Sequence, residues 1–467
     1  MASGIGRRPS PSGAVSWTDL RGMWHPHGLD VFYDAGLQHA FSTTGCCMFT
    51  QRQSRDSRLV PLGSDWPAQD FDFTMHLASE DTGMEKLAAP SVLATQHGTV
   101  RPLAAEDLER VAALFLTKFR RRRRHLLDRA IAEVAEYMRK IYLAPTDQSG
   151  ASSALVQINP QGDLGGFLGV LKACYELNGA VLNAAIIGPL MADTGTDHGS
   201  AGPQLLRAVH QGEFDLHLTD SANRVSLAFA RPMKYQLLPT HCLGWTRIFR
   251  PAAVASAVVR GRWPGLSRFV LDPCARAFDP FTRKRFEPTV QHSSSHRVHR
   301  QPMDAAQFAE RLPTIVSDYA LRPRWQDDEL LRLLALAAEK RADGPLHFSG
   351  TYDEAGKMLG CYAFYGQAGG IANLLQIQSS GPHWGATLDS LIEEAWNMGC
   401  AGIIGQTQNR FMPQLFSYKN VFFRYAGGTM VRSRIPEVAQ AVRSGDIFIG
   451  GLMGDRWTRL SSDDFGR

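Results

Sequence analysis

Leu182–Arg207 reads LNAAIIGPLMADTGTDHGSAGPQLLR. It falls into three pieces. Leu182–Met191 is an apolar run of the length of a buried strand. Asp193–Gly202 is turn-rich and holds three glycines. Pro203–Val209 opens a helix, with proline at a position where the first-turn N–H has no intrahelical partner. Strand, glycine-rich loop and helix N-terminus together make an anion site, because loop N–H groups converge and the helix dipole adds roughly half a positive charge. Many folds use this device, so the flanking elements decide the reading.

On the N-terminal side, Thr99–Leu103 has strand character. A helix from Glu106 places Leu108, Val111, Ala112, Phe115 and Leu116 on one face. It runs into Arg120–Arg124 and resumes through Leu126, Ile131, Val134 and Tyr137. Five consecutive arginines wrap a helix rather than lining one face; without interleaved aromatics they read as a solvated junction and not an RNA surface. Ala154–Ile158, the turn Asn159–Asp163 and Leu164–Val170 form a hairpin leading to the central stretch. After it come a strand at Phe214–Leu218, a short helix at Ser221–Arg231 and a closing strand pair within Tyr235–Phe249.

A chain of 467 residues implies two or three domains. Hydrophobic content of 44% with 20% charge fits an ordinary globular protein, and a net charge of +5, modest for this size, does not by itself argue for a nucleic-acid partner, so none is expected. The seven cysteines (Cys46, Cys47, Cys174, Cys242, Cys274, Cys361 and Cys400) are scattered and contain no C-x-x-C pair, which points to a reducing, cytoplasmic compartment. No apolar run reaches the roughly 18–20 residues of a membrane span, and the first residues lack the apolar core of a signal peptide. His25 and His27 flank a proline with no third ligand nearby, and Cys46 and Cys47 read as small buried hydrophobes. His292, His296 and His299 have a helical spacing but lie in a serine-rich run with no apolar stripe, so no metal site is expected.

The order from residue 98 to 251 resembles the GNAT acetyltransferase superfamily. The resemblance rests on Thr99-Val-Arg-Pro-Leu-Ala-Ala-Glu-Asp107, on Gly165-Gly-Phe-Leu-Gly-Val170, on Leu190-Met-Ala-Asp193 followed by the glycine loop and Gly202-Pro-Gln-Leu-Leu-Arg-Ala-Val209, and on Leu218-Thr-Asp-Ser-Ala-Asn223. Leu243-Gly-Trp-Thr-Arg-Ile-Phe-Arg-Pro251 is similar to a bacterial subgroup with a second domain. The family loop, Q/R-x-x-G-x-G/A, aligns with Gly199 and Gly202 retained, Asp197 in place of the Gln or Arg, and Ser200 in place of a Gly. The family tyrosine that protonates the leaving thiolate falls on Ala230.

A second run repeats the order. Ala305–Ala320 and Asp327–Lys340 are helical, Leu346–Thr351 and Met358–Tyr365 form a hairpin around Asp353–Gly356, and Ile371–Gln378 is a central strand. Trp384–Met398 is an amphipathic helix stopped by Gly399, then Ala401–Gly405 is a strand, Asn409–Tyr418 a helix and Phe422–Arg432 a strand. This half too resembles a GNAT fold, with Phe416 in place of the tyrosine and Gly385 the one retained loop anchor. Gly445-Asp-Ile-Phe-Ile-Gly-Gly-Leu-Met-Gly-Asp-Arg-Trp457 is similar to the C-terminus of the same two-domain subgroup and is the most specific match.

The reading is therefore α/β (α+β): two tandem GNAT-like domains, 98–251 and 304–460, each an open mixed sheet flanked by helices. Residues 1–14 are expected to be disordered, 15–97 an unassigned extension, 252–303 a linker or covering segment and 461–467 a tail. The resemblance implies transfer of an acyl group, acetyl above all, from acyl-CoA to a small-molecule or peptide amine by direct attack, with no metal. It implies cofactor contacts at Met191, Ala192, Gly199, Ser200, Ala201, Gly202 and Asn223. Base candidates are Glu176, Asp193 and Asp220. Two alternatives stay open: a non-catalytic GNAT-like binding or scaffold protein, and a Fem-like peptidyl transferase dependent on aminoacyl-tRNA.

Overall fold

The computed structural model describes residues 93–95, 98–119, 127–143, 152–193, 201–230, 232–254, 286–287, 298–326, 328–463 and 465–466. His25, His27, Cys46, Cys47, Arg120–Arg124, Asp197, Gly199, Ser200, Cys274, His292 and His296 lie outside the described residues.

The first half begins with β1 (Leu93–Thr95) and β2 (Gly98–Pro102), then α1 (Leu108–Phe119) and α2 (Leu127–Met138). The buried side chains of α1 are Leu108, Val111, Ala112, Phe115 and Leu116, the stripe its periodicity predicts. A π-helical turn, Arg139–Leu143, extends α2 and carries Tyr142. β3 (Leu155–Ile158), β4 (Leu164–Leu177) and β5 (Ala180–Ala192) form an antiparallel meander. β4 is twice the length its sequence suggests, because the turn after it lies at Asn178-Gly179, both at positive φ. α3 (Ala201–Gln211), β6 (Leu216–Ala222), α4 (Arg224–Ala230), β7 (Gln236–Leu237) and β8 (Leu243–Ile248) complete this half.

The second half comprises β9 (His299–Met303), α5 (Ala305–Val316), β10 (Leu321–Pro323), α6 (Glu329–Ala338), β11 (Leu346–Tyr352), β12 (Met358–Tyr365), β13 (Ile371–Ser379), α7 (Trp384–Asn397), β14 (Gly402–Gln406), α8 (Met412–Ser417), β15 (Val421–Tyr425), β16 (Gly428–Ser433), α9 (Pro436–Ser444) and α10 (Arg459–Ser462). Asp304 caps α5 through a reciprocal box with Gln307. The single strand expected over Phe422–Arg432 is two strands, because Gly427 at φ +140° breaks it.

The fold is mixed α/β, with two multi-stranded mixed sheets flanked by helices. The first sheet runs β1-β2-β3-β4-β5-β6-β16-β7, with β10 beside the far end of β4. The second runs β15-β8-β14-β13-β12-β11-β9. Each sheet thus holds a strand from the other half. β8 lies antiparallel between β14 and β15, and β16 lies antiparallel between β6 and β7. The closing strand expected for the first half therefore serves the second sheet. Local pattern marks a strand but not its partner.

Helices cover the sheets in layers. α3 packs Leu205, Leu206 and Val209 on one face of the first sheet, with Leu168, Val170 and Ile187. The opposite face shares a core with α1, α2, α5 and α6, in which Phe115, Tyr137, Tyr175, Phe308, Phe448 and Trp457 are buried together. α7 packs Leu388, Leu391 and Ile392 against Trp245, Phe364 and Ile403 on the outer face of the second sheet.

The exchange has a testable consequence. Residues 93–254 produced alone lack β16 and leave β8 without a sheet, exposing unpaired strand edges. This fragment is expected to aggregate or to melt without a cooperative transition, and co-expression with residues 298–467 to restore one. A cooperative thermal transition in the isolated fragment would contradict the exchanged topology.

Candidate active site

In the first sheet β5 and β6 pair in parallel at only three positions, Ala184↔Leu216, Ala185↔His217 and Ile186↔Leu218. Beyond them β6 stays with β16, through Met430↔Thr219 and Gly428↔Ala222, while β5 stays with β4. The two strands part, opening a gap between 187–192 and 219–222 that the 454–455 segment approaches, with Asp455 3.7 Å from a Cβ built on Gly188. β5 is bulged at its mouth. Leu168 faces Leu190 and Val170 faces Ile187, so Gly188 and Pro189 oppose Gly169 alone. A proline in a strand is tolerated at such a bulge, where its missing N–H costs no ladder bond. The Tyr142 hydroxyl lies so close to Gly169 that any side chain there would strike it. Burial, then the nearby charge of Asp455, keeps this hydroxyl neutral by raising it well above the usual phenol range.

The second sheet repeats the device. β13 and β14 pair in parallel at Ile371↔Gly402, Ala372↔Ile403 and Asn373↔Ile404, then separate. The opening is a cleft whose walls include Trp245, Leu374, Ile377, Gly405, Lys340 and Arg424.

One loop, Gly450–Trp457, joins the two clefts. Gly450 and Gly451 are at φ +83° and +59°, a left-handed pair that glycine adopts without strain. Leu452 N–H donates to Gln376 Oε1 on β13 (3.2 Å). On the other side any side chain at Gly454 would collide with the Asp220 carboxylate. Asp455 N–H donates to Asp220 Oδ1 (3.2 Å), and Ser221 Oγ donates to Asp455 Oδ2 (2.7 Å). The Arg456 guanidinium lies 3.5 Å from Asp220 Oδ2, donates to the carbonyls of Asp220 and Ala426, and lines the second cleft. Asp220 is fully buried, so two carboxylates and one guanidinium share a low-dielectric site. Burial first, and the Asp220 charge second, push Asp455 up to about 7, against the opposing pull of Ser221 and Arg456.

The residues expected from sequence are only partly brought together. Asp220 sits at the cleft. Met191 and Ala192 end β5, opposite Phe167 and Gly166, with Met191 buried in the core. Ala201 and Gly202 open α3, and among the described residues a Cβ at Gly202 would meet nothing nearer than Leu190 at 4.0 Å. Asn223 caps α4, its Oδ1 accepting from Ser226 N–H (2.8 Å). Asp193 stands at the outer end of β5, half-exposed, 3.3 Å from Lys118. Glu176 is ten residues along β4 from Gly166, roughly 33 Å at strand rise, and is paired with Arg322 at 2.6 Å. It is a structural ion pair far from the cleft, a placement hidden by the underestimated length of β4.

Sequence reasoning missed Asp455, Arg456 and Tyr142 as site groups. Gly445–Trp457 stood out as a stretch, but what Asp455 faces depends on a contact spanning 234 positions, to Ser221. His210, His217 and Tyr235 form a separate cluster. His210 Nε2 lies 2.7 Å from the Tyr235 hydroxyl, and burial lowers the two imidazoles to about 2 and about 4. They lie at the closed end of the β5–β6 pair and have a packing role. Among the described residues no group of three or more His, Cys, Asp or Glu is placed to hold a metal, and no helix is long and apolar enough to cross a membrane.

No family model matches this chain, and neither does any curated protein. Solved structures do resemble it. A conserved protein of unknown function from Enterococcus faecalis V583 is 11% identical over 72% of each chain, with a TM-score of 0.45. A GCN5-related N-acetyltransferase from Anabaena variabilis is 10% identical over 72% of each chain, also at 0.45. The Saccharomyces cerevisiae N-myristoyltransferase with bound myristoyl-CoA is 10% identical over 75% of this chain and 84% of its own, at 0.42. At these scores the functional reading rests on the chain's own geometry.

Gly202 offers a clean probe of the first cleft. Among the described residues nothing crowds a side chain at this position, and an acidic residue in a first helical turn favours the helix by about 0.3–1 kcal/mol. Gly202→Asp is therefore expected to melt within a few degrees of wild type and to weaken the binding of any anion held at the N-terminus of α3, read by calorimetry with acetyl-CoA as the probe. Unchanged binding of the probe would place it away from α3.

Proposed function

We propose that this chain is an acyl-CoA N-acyltransferase, acetyl-CoA being the first donor to test, that acylates an amine by direct attack. The observation that carries this reading is the placement of Asp455 where β5 and β6 part, beside Asp220 and accepting from Ser221 Oγ, a site whose burial pushes its carboxyl up. A base with a pKa near the working pH is the kind that accepts a proton efficiently. The parted edges of β5 and β6 offer unpaired backbone groups to an extended pantetheine arm, and the N-terminus of α3 favours its phosphates.

In this scheme the bulge at Gly188 holds the thioester carbonyl, with the neutral Tyr142 hydroxyl as a donor beside it. The amine nitrogen bonds to the carbonyl carbon as the carbon–sulfur bond breaks. Asp455 takes the proton that the amine loses, and CoA leaves as a thiolate that takes a proton from solvent. Asp220 and Arg456 hold Asp455 in place. Asp193 and Asn223 take no part in proton transfer, and Glu176 supports the β4–β10 junction. We further infer that residues 98–251 and 304–460 are two copies of one unit that exchange a strand, since each has a parallel ladder of three pairs opening into a cleft.

The test is a pH profile. The transfer rate is expected to rise with pH through about 7, and Asp455→Asn to lose about 10²–10⁴-fold and the pH limb with it. A linked effect on stability separates Asp455 from other bases. Its folded pKa is raised from 3.8, so its protonated form contributes stability that is complete below 3.8 and lost as pH rises through about 7. The wild type is expected to melt lower at pH 8 than at pH 6, and Asp455→Asn to lose that part of the difference. A variant that keeps both the rate and the pH limb would rule Asp455 out as the base.

A further inference from the structure

The second cleft is chemically unlike the first. Lys340, Arg424 and Arg456 all contribute to its lining, together with Asn373 and Gln406, and among the described residues the lining contains no carboxylate. Three cations converge on one opening in a chain of near-balanced charge, with 50 Lys and Arg against 45 Asp and Glu. Lys340 is buried. It is held by Asp343 at 3.4 Å, by the Arg456 carbonyl at 3.0 Å and over the Tyr365 ring at 5.0 Å. Asn373 Nδ2 donates to the same Asp343. Arg456 has Asp220 behind it. The carboxylates that serve these two cations, Asp343 and Asp220, are not themselves among the lining residues. Burial, and then the charge of Arg456, depress the Arg424 guanidinium, as expected for two cations held close in a poorly solvated place.

A second, independent observation points to a ligand. Trp245 is buried at 1% exposure, lies in the cleft wall, and its Nε1–H has no hydrogen-bond partner among the described residues. A buried donor left unpaired costs about 1–3 kcal/mol. Gly405 leaves this edge uncovered, since a Cβ there would sit 2.9 Å from Nε1. Leu374, Leu375, Ile377 and Ile404 supply an apolar wall. One indole donor, three cations and an apolar wall suit a molecule with an anionic end and a short aliphatic body.

We propose that the β13–β14 cleft binds the amine acceptor through an anionic group, a carboxylate or a phosphate, so that the substrates are small amines carrying a negative charge. This rests on the acyltransferase reading above and names its substrate class. The Gly450–Trp457 loop supplies the geometry: Arg456 faces the anion site while Asp455, its neighbour in sequence, faces the donor cleft.

The experiment is direct binding by calorimetry, with no turnover required. The probes are γ-aminobutyrate for the carboxylate, O-phosphoethanolamine for the phosphate, and n-butylamine as the amine without an anion. One or both anionic probes are expected to bind at least tenfold more tightly than n-butylamine, and the preferred probe identifies the source of the charge. Arg424→Gln is expected to weaken that binding at least tenfold, Arg424→Lys to restore part of it, and both variants to bind acetyl-CoA as wild type does. Three results would overturn the proposal: no saturable binding of either anionic probe, equal binding of n-butylamine, or displacement of the anionic probe by acetyl-CoA, which would make the cleft a donor phosphate site. If the anionic probes bind as expected but acetyl-CoA does not bind the wild type, the acyltransferase reading fails while the anion cleft stands. If acetyl-CoA binds and the anionic probes do not, the reverse holds.

Discussion

A parallel strand pair that closes for three residues and then parts is the constraint on which this structure depends. It occurs between β5 and β6 and again between β13 and β14. The strands can part because each has a second neighbour that keeps its backbone paired. β6 follows β16 and β14 follows β8, both antiparallel. Without those partners the edges of β6 and β14 that face away from the openings would be unpaired as well, at a cost for every buried N–H and C=O. Because each partner comes from the other half of the chain, the two clefts are opened by one reciprocal exchange.

The exchange also explains why the core is shared. The largest buried cluster draws on α1 and α2 from the first half and on α5, α6 and the C-terminal segment from the second. Arg459 ties the chain end into it, pairing with Glu133 at 2.7 Å and Asp463 at 2.9 Å, and its N–H donates to the Tyr137 hydroxyl. With the chain end fixed on α2, the Gly450–Trp457 loop is held between the clefts. Asp455 and Arg456 are adjacent in sequence and face different sites, so the charge in one cleft is felt in the other through Asp220.

Much of this order was legible in the sequence. Alternation and turn chemistry located β3 to β6 and β11 to β14, and the apolar stripes of α1 and α7 are the faces that are buried. The strand that ends at a glycine loop, followed by a helix, is where β5 and α3 lie. What stayed hidden was partnership. A strand reads the same whichever sheet it joins, so the destinations of β8 and β16 were not written in their own residues. Gly427 marked the break between β15 and β16, but a glycine inside an apolar run is also tolerated in an unbroken strand. The proposed base is the clearest case. Glu176, Asp193 and Asp220 were chosen for nearness in sequence to the central stretch. Asp455 gains its character only from burial against Asp220 and Ser221, a juxtaposition made by the loop after both sheets have formed.

The most direct test is hydrogen exchange of the intact protein with and without saturating acetyl-CoA, read along the backbone. A donor lying between β5 and β6 is expected to slow exchange at 187–192 and 219–222, with slowing also in 450–457. Slowing confined to 374–379 and 405–406 would put the donor in the second cleft and contradict the assignment of the two clefts made above.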